Sequence, residues 1–188
     1  MTTLAATRHP SRPPDIERLI RILQSSNVDY VLIGSVAAAV YGVDVRAGDL
    51  DIVPNTEQLN LERLINVLAE IEGRPLGPFG EWRLLENREW KWIAHATTDQ
   101  ELADWRPDAR DACTLDHLFG TCLGNFDVVP EIAGRYEALR PRAVLRSWCS
   151  CNVRVAHIDE LLARISIPRR EKDRDRVEAL RDIQRRSV

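Results

Sequence analysis

Two aspartates separated by one residue, Asp49 and Asp51, are the clearest candidates for chemistry in this 188-residue chain. They precede Ile52-Val53 in a segment that is predicted to be a strand. Alternate side chains of a strand point to one face, so both carboxylates are expected on the same side of a sheet. Such a pair is unfavourable unless a cation lies between them, and Mg²⁺ or Mn²⁺ prefers oxygen ligands. The pair therefore predicts a divalent-metal site, with a solvated edge strand as the alternative explanation.

A third carboxylate from elsewhere in the chain is needed for phosphoryl transfer, both to ligate metal and to accept the proton of an attacking hydroxyl. Asp127, in the segment Asn-Phe-Asp-Val-Val, is the preferred candidate because two valines follow it, as two aliphatic residues follow Asp51. Asp116, in Leu-Asp-His-Leu, is the rival candidate.

Gly34 and Ser35 lie where an apolar strand meets an Ala-rich helix. A glycine allows a phosphate to approach the backbone, and a helix N-terminus offers unpaired N–H groups. The Ser35 hydroxyl is suited to binding a phosphate or to capping its own helix, and for this residue taken alone the cap is favoured. Arg46 is equally suited to facing a triphosphate or to pairing with Asp44 or Asp49.

The elements that must position these residues are predicted from the periodicity of the apolar positions. One or two strands are expected within residues 81–96 and a hairpin within 115–129. The remaining strands are predicted at 30–33, 50–53, 144–148 and 153–156, and helices at 14–27, 35–41, 56–73, 130–139, 158–165 and 169–186.

Several boundaries and domains follow from the same pattern. Asn55 or Thr56 is predicted to cap the third helix and Gly73 to end it. Residues 74–80, with two Pro and two Gly, are predicted to form a loop. The predicted organisation is a flexible tail at 1–12, a core at 13–156, and a C-terminal helical segment at 157–188 packed on that core.

Charge is distributed unevenly along the chain, whose formal net charge is −3. Residues 135–154 contain five Arg against one Glu, and residues 164–188 contain nine Lys and Arg against five Asp and Glu. The rest of the chain is therefore acidic. An acidic body with basic C-terminal segments is suited to holding metal in one place and phosphate backbone in another, although solvated helix faces would show the same pattern.

The four cysteines and the hydropathy favour a cytoplasmic protein. Reduced thiols are expected at Cys113, Cys122, Cys149 and Cys151, although His117 near Cys113 leaves a zinc site open. No stretch approaches the roughly 20 apolar residues that span a membrane, and the N-terminal residues contain no apolar run typical of a signal peptide.

Taken together, these residues resemble the signature of the polymerase-β-like nucleotidyltransferase superfamily: an apolar strand, Gly-Ser, a short helix, Asp-x-Asp and one distant Asp. Tyr41-Gly42 and Arg46 extend the similarity to a small bacterial branch that includes the AbiEii-like and MenT-like toxins of toxin–antitoxin systems. Lys172-Asp173, at the start of the last helix, is also similar to that branch. The toxins often carry an active-site Lys in the middle segment, where this chain has only Lys91.

The resemblance implies an α/β (α+β) nucleotidyltransferase fold, in which a small mixed β-sheet is flanked by helices and followed by C-terminal helices. It implies that an NTP is the substrate and that Mg²⁺ or Mn²⁺ is the cofactor. Asp49, Asp51 and Asp127 would be the catalytic and metal-binding residues. The nucleotide-binding residues would be Gly34, Ser35, Arg46 and Lys172.

For the acceptor and the partner, the resemblance implies the 3′ end of tRNA, whose modification blocks translation, and a cognate antitoxin protein. Modification of a small molecule or of a protein (AMPylation) is the alternative within the same chemistry. A non-catalytic relative that uses the fold for binding is the alternative from another class of protein.

Overall fold

The structure, a computed structural model, describes residues 13–86, 90–131, 135–165 and 171–186. The predicted flexible tail at residues 1–12 lies outside this part. No helix in the described ranges combines the length and the hydrophobicity needed to cross a membrane.

Most helices and strands lie where they are predicted, but the helix predicted at 130–139 is described only over Tyr136–Leu139, and the helix Asp99–Ala103 is not predicted. The helices are α1 (Ile16–Ser25), α2 (Gly34–Val40), α3 (Gln58–Glu70), α4 (Asp99–Ala103), α5 (Tyr136–Leu139), α6 (Ile158–Arg164) and α7 (Glu171–Arg186). The strands are β1 (Tyr30–Ile33), β2 (Asp49–Pro54), β3 (Arg74–Pro75), β4 (Gly80–Leu84), β5 (Trp90–Ala94), β6 (His117–Thr121), β7 (Gly124–Val128), β8 (Val144–Trp148) and β9 (Cys151–Val155).

Seven strands form one mixed sheet in the order β3-β6-β7-β2-β1-β9-β8. The β7–β2 and β1–β9 pairs are parallel, and the other neighbours are antiparallel. Strands β4 and β5 form a separate antiparallel hairpin. The predicted mixed sheet flanked by helices is confirmed, and β2 lies at its centre.

The hydrophobic core packs against one face of β2 and β7, and the aspartates lie on the opposite face. Leu50 and Ile52 of β2 are fully buried, as are Phe126 and Val128 of β7 and Phe119 of β6. Each such side chain contributes about 1.5–3 kcal/mol by its removal from water. This burial fixes the register, because a slip by one residue would exchange the core face and the carboxylate face.

The first three helices end in the same backbone motif. After α1, Asn27 has a φ of 53° and the Val28 N–H donates to the Leu23 carbonyl at 2.9 Å. After α2, Gly42 takes the left-handed position, with a φ of 97°. These are Schellman ends, which favour Gly or Asn at the left-handed position.

The end of α3 corrects the prediction that Gly73 terminates it. Glu72 is the left-handed residue, with a φ of 57°. The Gly73 N–H donates to the Leu68 carbonyl at 2.7 Å, so Gly73 lies one position beyond the left-handed residue. A glutamate therefore occupies a position that glycine usually takes.

The start of α3 and the segment that follows it also differ from the predictions. Glu57 is the N-terminal cap residue of α3 and makes no side-chain cap bond. Asn55 instead accepts the Glu57 N–H, and the predicted cap at Asn55 or Thr56 is wrong. Residues 74–80 are not wholly a loop, because Arg74–Pro75 pair with β6 at the sheet edge.

Replacing Glu72 by Gly is expected to stabilise the protein by about 0.5–1 kcal/mol, because it removes the steric cost of a left-handed non-glycine residue. Glu70→Gly, two residues earlier in the helix proper, is the matched control and is expected to destabilise by about 1 kcal/mol. Urea denaturation of both variants measures the two changes. Equal destabilisation by both would contradict the assigned helix end.

Candidate active site

Three aspartates lie on one face of the two central parallel strands. In β2, Asp49 and Asp51 alternate with buried Leu50, and Asp51 is the register partner of Asp127 in β7. Register partners in a parallel pair share a face and lie about 4.8 Å apart. Sequence reasoning predicted this set of acids, and the pairing of β2 with β7 brings them together.

The turn between β1 and α2 holds the carboxylate of Asp51. Gly34 has a φ of 68°, and a Cβ at this position would collide with the Asp51 carboxylate. The Ser35 backbone N–H donates a hydrogen bond to the same carboxylate. The N-terminal turn of α2, expected to cradle a phosphate, thus binds the side chain of Asp51.

Ser35 does not cap its helix, which corrects the preferred interpretation of that residue alone. The N-terminal cap residue of α2 is Ile33 and no side chain caps it. Ser35 is only 6% exposed, and its Oγ has no hydrogen-bond partner among the described residues. A buried hydroxyl without a partner is costly. Ser35 therefore has an unused hydrogen-bonding group beside Asp51.

The pKa values of Asp51 and Asp127 are raised because both carboxyl groups are buried with too little positive charge nearby to offset that burial. Burial, together with the charges of Asp49 and Asp127, raises the pKa of Asp51 from its ordinary value of 3.8 to about 8. The Ser35 N–H and the charge of Arg176 oppose that shift. Burial and the charge of Asp49 raise the pKa of Asp127 to about 6. Strongly shifted acids in one cluster are typical of functional sites.

Arg176 of α7 is a site residue that sequence reasoning did not single out. Nine basic residues fall within 164–188, and their spacing alone does not mark one of them. Its position depends on the packing of α7 against α6 and of α6 against α2, and its charge acts on Asp51.

Asp116 and Arg46 are two further candidates from the sequence. Asp116 precedes β6 and does not contribute to the shifts at Asp51 or Asp127, so Asp127 is the better candidate. Arg46 is exposed and pairs with neither Asp44 nor Asp49 within the described residues.

The two lysines give no direct support for a role. Lys172 lies in the first turn of α7, but its side chain is outside the described part of the structure. Lys91 is exposed on β5, opposite Arg83 of the separate hairpin.

The donor chemistry of the acid cluster fits Mg²⁺ or Mn²⁺, because all three ligands would be carboxylate oxygens on one face. Within the described ranges, however, no three His, Cys, Asp or Glu side chains are arranged to hold a metal ion as they stand. Convergence of the three aspartates on one ion therefore requires their side chains to rotate.

The absence of a metal-binding arrangement within the described ranges also removes support for a zinc site at His117 and Cys113. His117 packs instead among aromatic rings, 5.2 Å from Phe79 and 6.0 Å from Phe119 between ring centroids. Burial lowers the pKa of this histidine, which favours its neutral form. Cys113 is an exposed free thiol.

The mixed sheet with its flanking helices is the nucleotidyltransferase fold. The solution structure of the antibiotic-resistance factor ANT(2'')-Ia is similar to this structure over 92% of this chain and 82% of that chain. The TM-score is 0.55 and the sequence identity is 11%, so the likeness is one of fold. It does not by itself assign the chain to a superfamily or to the toxin branch. No protein-family model and no curated protein matches the chain.

Replacing Gly34 by Ala is expected to destabilise the protein by at least about 2 kcal/mol, because it adds left-handed strain and displaces the Asp51 carboxylate. Gly48→Ala is the control, since a Cβ there meets no atom within 4 Å. Thermal and urea unfolding of both variants test this difference. A Gly34→Ala protein as stable as Gly48→Ala would contradict the contact with Asp51.

The raised pKa values predict a stability that falls with rising pH in metal-free buffer. Between about pH 4 and pH 8 the unfolded chain has released protons that folded Asp51 and Asp127 retain, so a rise in pH favours unfolding. Asp49→Asn removes a charge that raises both values. It is expected to flatten the pH dependence and to stabilise the protein at pH 8 by about 1 kcal/mol.

Urea titrations at pH 5, 6.5 and 8 in the presence of a chelator measure this effect. Asp44→Asn, on the exposed loop before β2, is the control for loss of one negative charge. Identical pH profiles for Asp49→Asn and Asp44→Asn would show that Asp49 does not act on the two other acids.

Proposed function

We propose that this protein is a metal-dependent nucleotidyltransferase that transfers nucleotides from an NTP to the 3′ end of tRNA and thereby blocks translation. The single observation that carries the chemistry is the alignment of Asp49, Asp51 and Asp127 on one face of adjacent central strands, beside the Gly34-Ser35 turn. The nucleotidyltransferase fold is the expected setting for those acids.

In the proposed reaction the acids would bind the metal ion and other side chains would bind the nucleotide. Asp49, Asp51 and Asp127 would hold Mg²⁺ or Mn²⁺, which neutralises charge on the phosphate oxygens when bound. The Ser35 hydroxyl would donate to the NTP, since it lacks a partner among the described residues. Arg46, exposed on the loop before β2, is free to reach the phosphates of a bound nucleotide. Lys172 is proposed as a further phosphate ligand from the resemblance alone.

The chemical step is an in-line displacement at the α-phosphorus of the NTP. The acceptor hydroxyl oxygen forms a bond to the α-phosphorus, while the bond from that phosphorus to the bridging oxygen breaks and pyrophosphate leaves. Asp127 accepts the proton of the hydroxyl. Asp127 suits this role because it is a carboxylate on the strand next to Asp49 and Asp51 and faces the same site.

The acceptor is proposed to lie along the basic C-terminal helix. Exposed Arg174, Arg181 and Arg185 line one shallow groove on α7, together with Val177 and Glu178. Arginines in a row suit the phosphate backbone of RNA, whose binding is largely electrostatic. The tRNA acceptor, the toxin activity and a cognate antitoxin partner all come from the family resemblance.

Modification of a small molecule is the second candidate function. The observation that favours it is the fold similarity to ANT(2'')-Ia, an antibiotic-resistance factor. Both candidates use the same acids and the same NTP, so they differ only in the hydroxyl that attacks. AMPylation of a protein differs in the same way.

The purified protein, incubated with Mg²⁺ and each labelled NTP in turn, is expected to label tRNA at its 3′ end. Asp49→Ala is expected to reduce the rate at least about 100-fold, because the metal loses a ligand. Asp44→Ala, which removes a carboxylate from the preceding exposed loop, should retain the wild-type rate.

Parallel incubations with a mixture of hydroxyl-bearing antibiotics and with a protein extract identify the acceptor. Labelling of either while tRNA stays unlabelled would reject the tRNA acceptor and retain nucleotidyl transfer. Absence of labelling with every acceptor, together with no thermal stabilisation by Mg²⁺ and any of the four NTPs, would favour a non-catalytic binding protein.

A further inference from the structure

Helix α7 carries an arginine whose guanidinium is buried rather than exposed. The Arg176 side chain is only 11% exposed, and its Nη2 lies 4.0 Å from Oδ1 of Asp173 on the preceding turn. The Nε atom is buried and has no hydrogen-bond partner among the described residues. The four other arginines of the same helix, Arg174, Arg181, Arg185 and Arg186, are exposed.

A buried guanidinium is costly unless its charge and its N–H groups are satisfied. Asp173 is itself buried, at 7% exposure, but a separation of 4.0 Å makes it a loose ion-pair partner. Arg176 also lies close enough to the carboxylate cluster for its charge to act on Asp51. The last helix thus brings Arg176, whose Nε–H has no partner among the described residues, into the neighbourhood of Asp51.

We infer that Arg176 is a phosphate-binding residue of the nucleotide site, held beside Asp173 and near the acid cluster, where the phosphates of a bound nucleotide would accept from its N–H groups. This inference rests on the proposed function and deepens it. A guanidinium presents N–H groups in a planar fork that matches two phosphate oxygens. The unpartnered Nε–H belongs to one edge of that fork.

Arg176 is expected to have opposite effects on the binding of the metal ion and on the binding of the nucleotide. Its positive charge opposes a bare divalent cation at the aspartates, because like charges repel. It attracts the triphosphate, which brings several negative charges into the same space. Loss of the arginine should therefore strengthen binding of the metal alone and weaken binding of the nucleotide.

Calorimetric titration of the full chain with Mn²⁺ alone, and with each of the four NTPs in the presence of Mg²⁺, tests this inference. Arg176→Gln is expected to weaken binding of the preferred NTP about 10- to 100-fold and to tighten binding of Mn²⁺ alone about two- to fivefold. Arg18→Gln, at an exposed position of α1, removes one positive charge away from the site and should change neither affinity.

Arg176→Lys provides a second measurement in case the glutamine variant does not fold. It keeps the charge but loses the fork, so NTP binding should weaken about three- to tenfold while Mn²⁺ binding stays as in the wild type. Wild-type NTP affinity in either folded variant would overturn the inference while the proposed function stands. A parallel loss of Mn²⁺ and NTP affinity would also overturn it, since a merely structural role predicts that pattern.

Failure of the proposed function gives a different result. If the wild-type chain binds none of the four NTPs in the presence of Mg²⁺, the nucleotide site itself is rejected and the inference falls with it. Binding by the wild type is therefore measured first, and the variants then test Arg176 alone.

Discussion

The clustering of three acids on one face of the central strands is the constraint on which the rest of this structure depends. Asp51 and Asp127 are removed from water, and the charge of Asp49 further disfavours their ionisation. Such an arrangement lowers stability, and proteins retain it where function requires it. The surrounding fold supplies the compensation through a backbone donor at Ser35 and the charge of Arg176.

The conformation and register of the main chain determine where the three acids lie. Because Gly34 has no side chain, β1 can turn into α2 directly against the Asp51 carboxylate. The apolar residues that alternate with the acids fix the register of β2 and β7 by their burial, so the carboxylates cannot slip to the other face. The same packing that stabilises the protein therefore holds the acids together.

The site combines two kinds of charged group, carboxylates and a guanidinium. Carboxylates on the sheet suit a divalent cation, and a guanidinium on the last helix suits the phosphates that such a cation accompanies. The fold is shared with ANT(2'')-Ia at 11% identity. A fold of this kind supports many acceptors, because the attacking hydroxyl is bound by parts of the molecule outside the catalytic strands. The choice between tRNA and a small molecule thus depends on surfaces such as the arginine groove of α7.

The sequence by itself determined the fold class, most of the elements and the three acids, because alternation of apolar and acidic residues is a local property of each strand. Local patterns did not decide the role of Ser35, for which the sequence favoured capping of its own helix. They also did not decide the end of α3, where Glu72 takes the left-handed position. Only the tertiary structure placed Arg176 near enough to Asp51 for its charge to act there, since the two residues are 125 positions apart in the chain. The packing of α7 against α6, and of α6 against α2, leaves no periodic signal in the sequence, and for that reason Arg176 could not be identified from it.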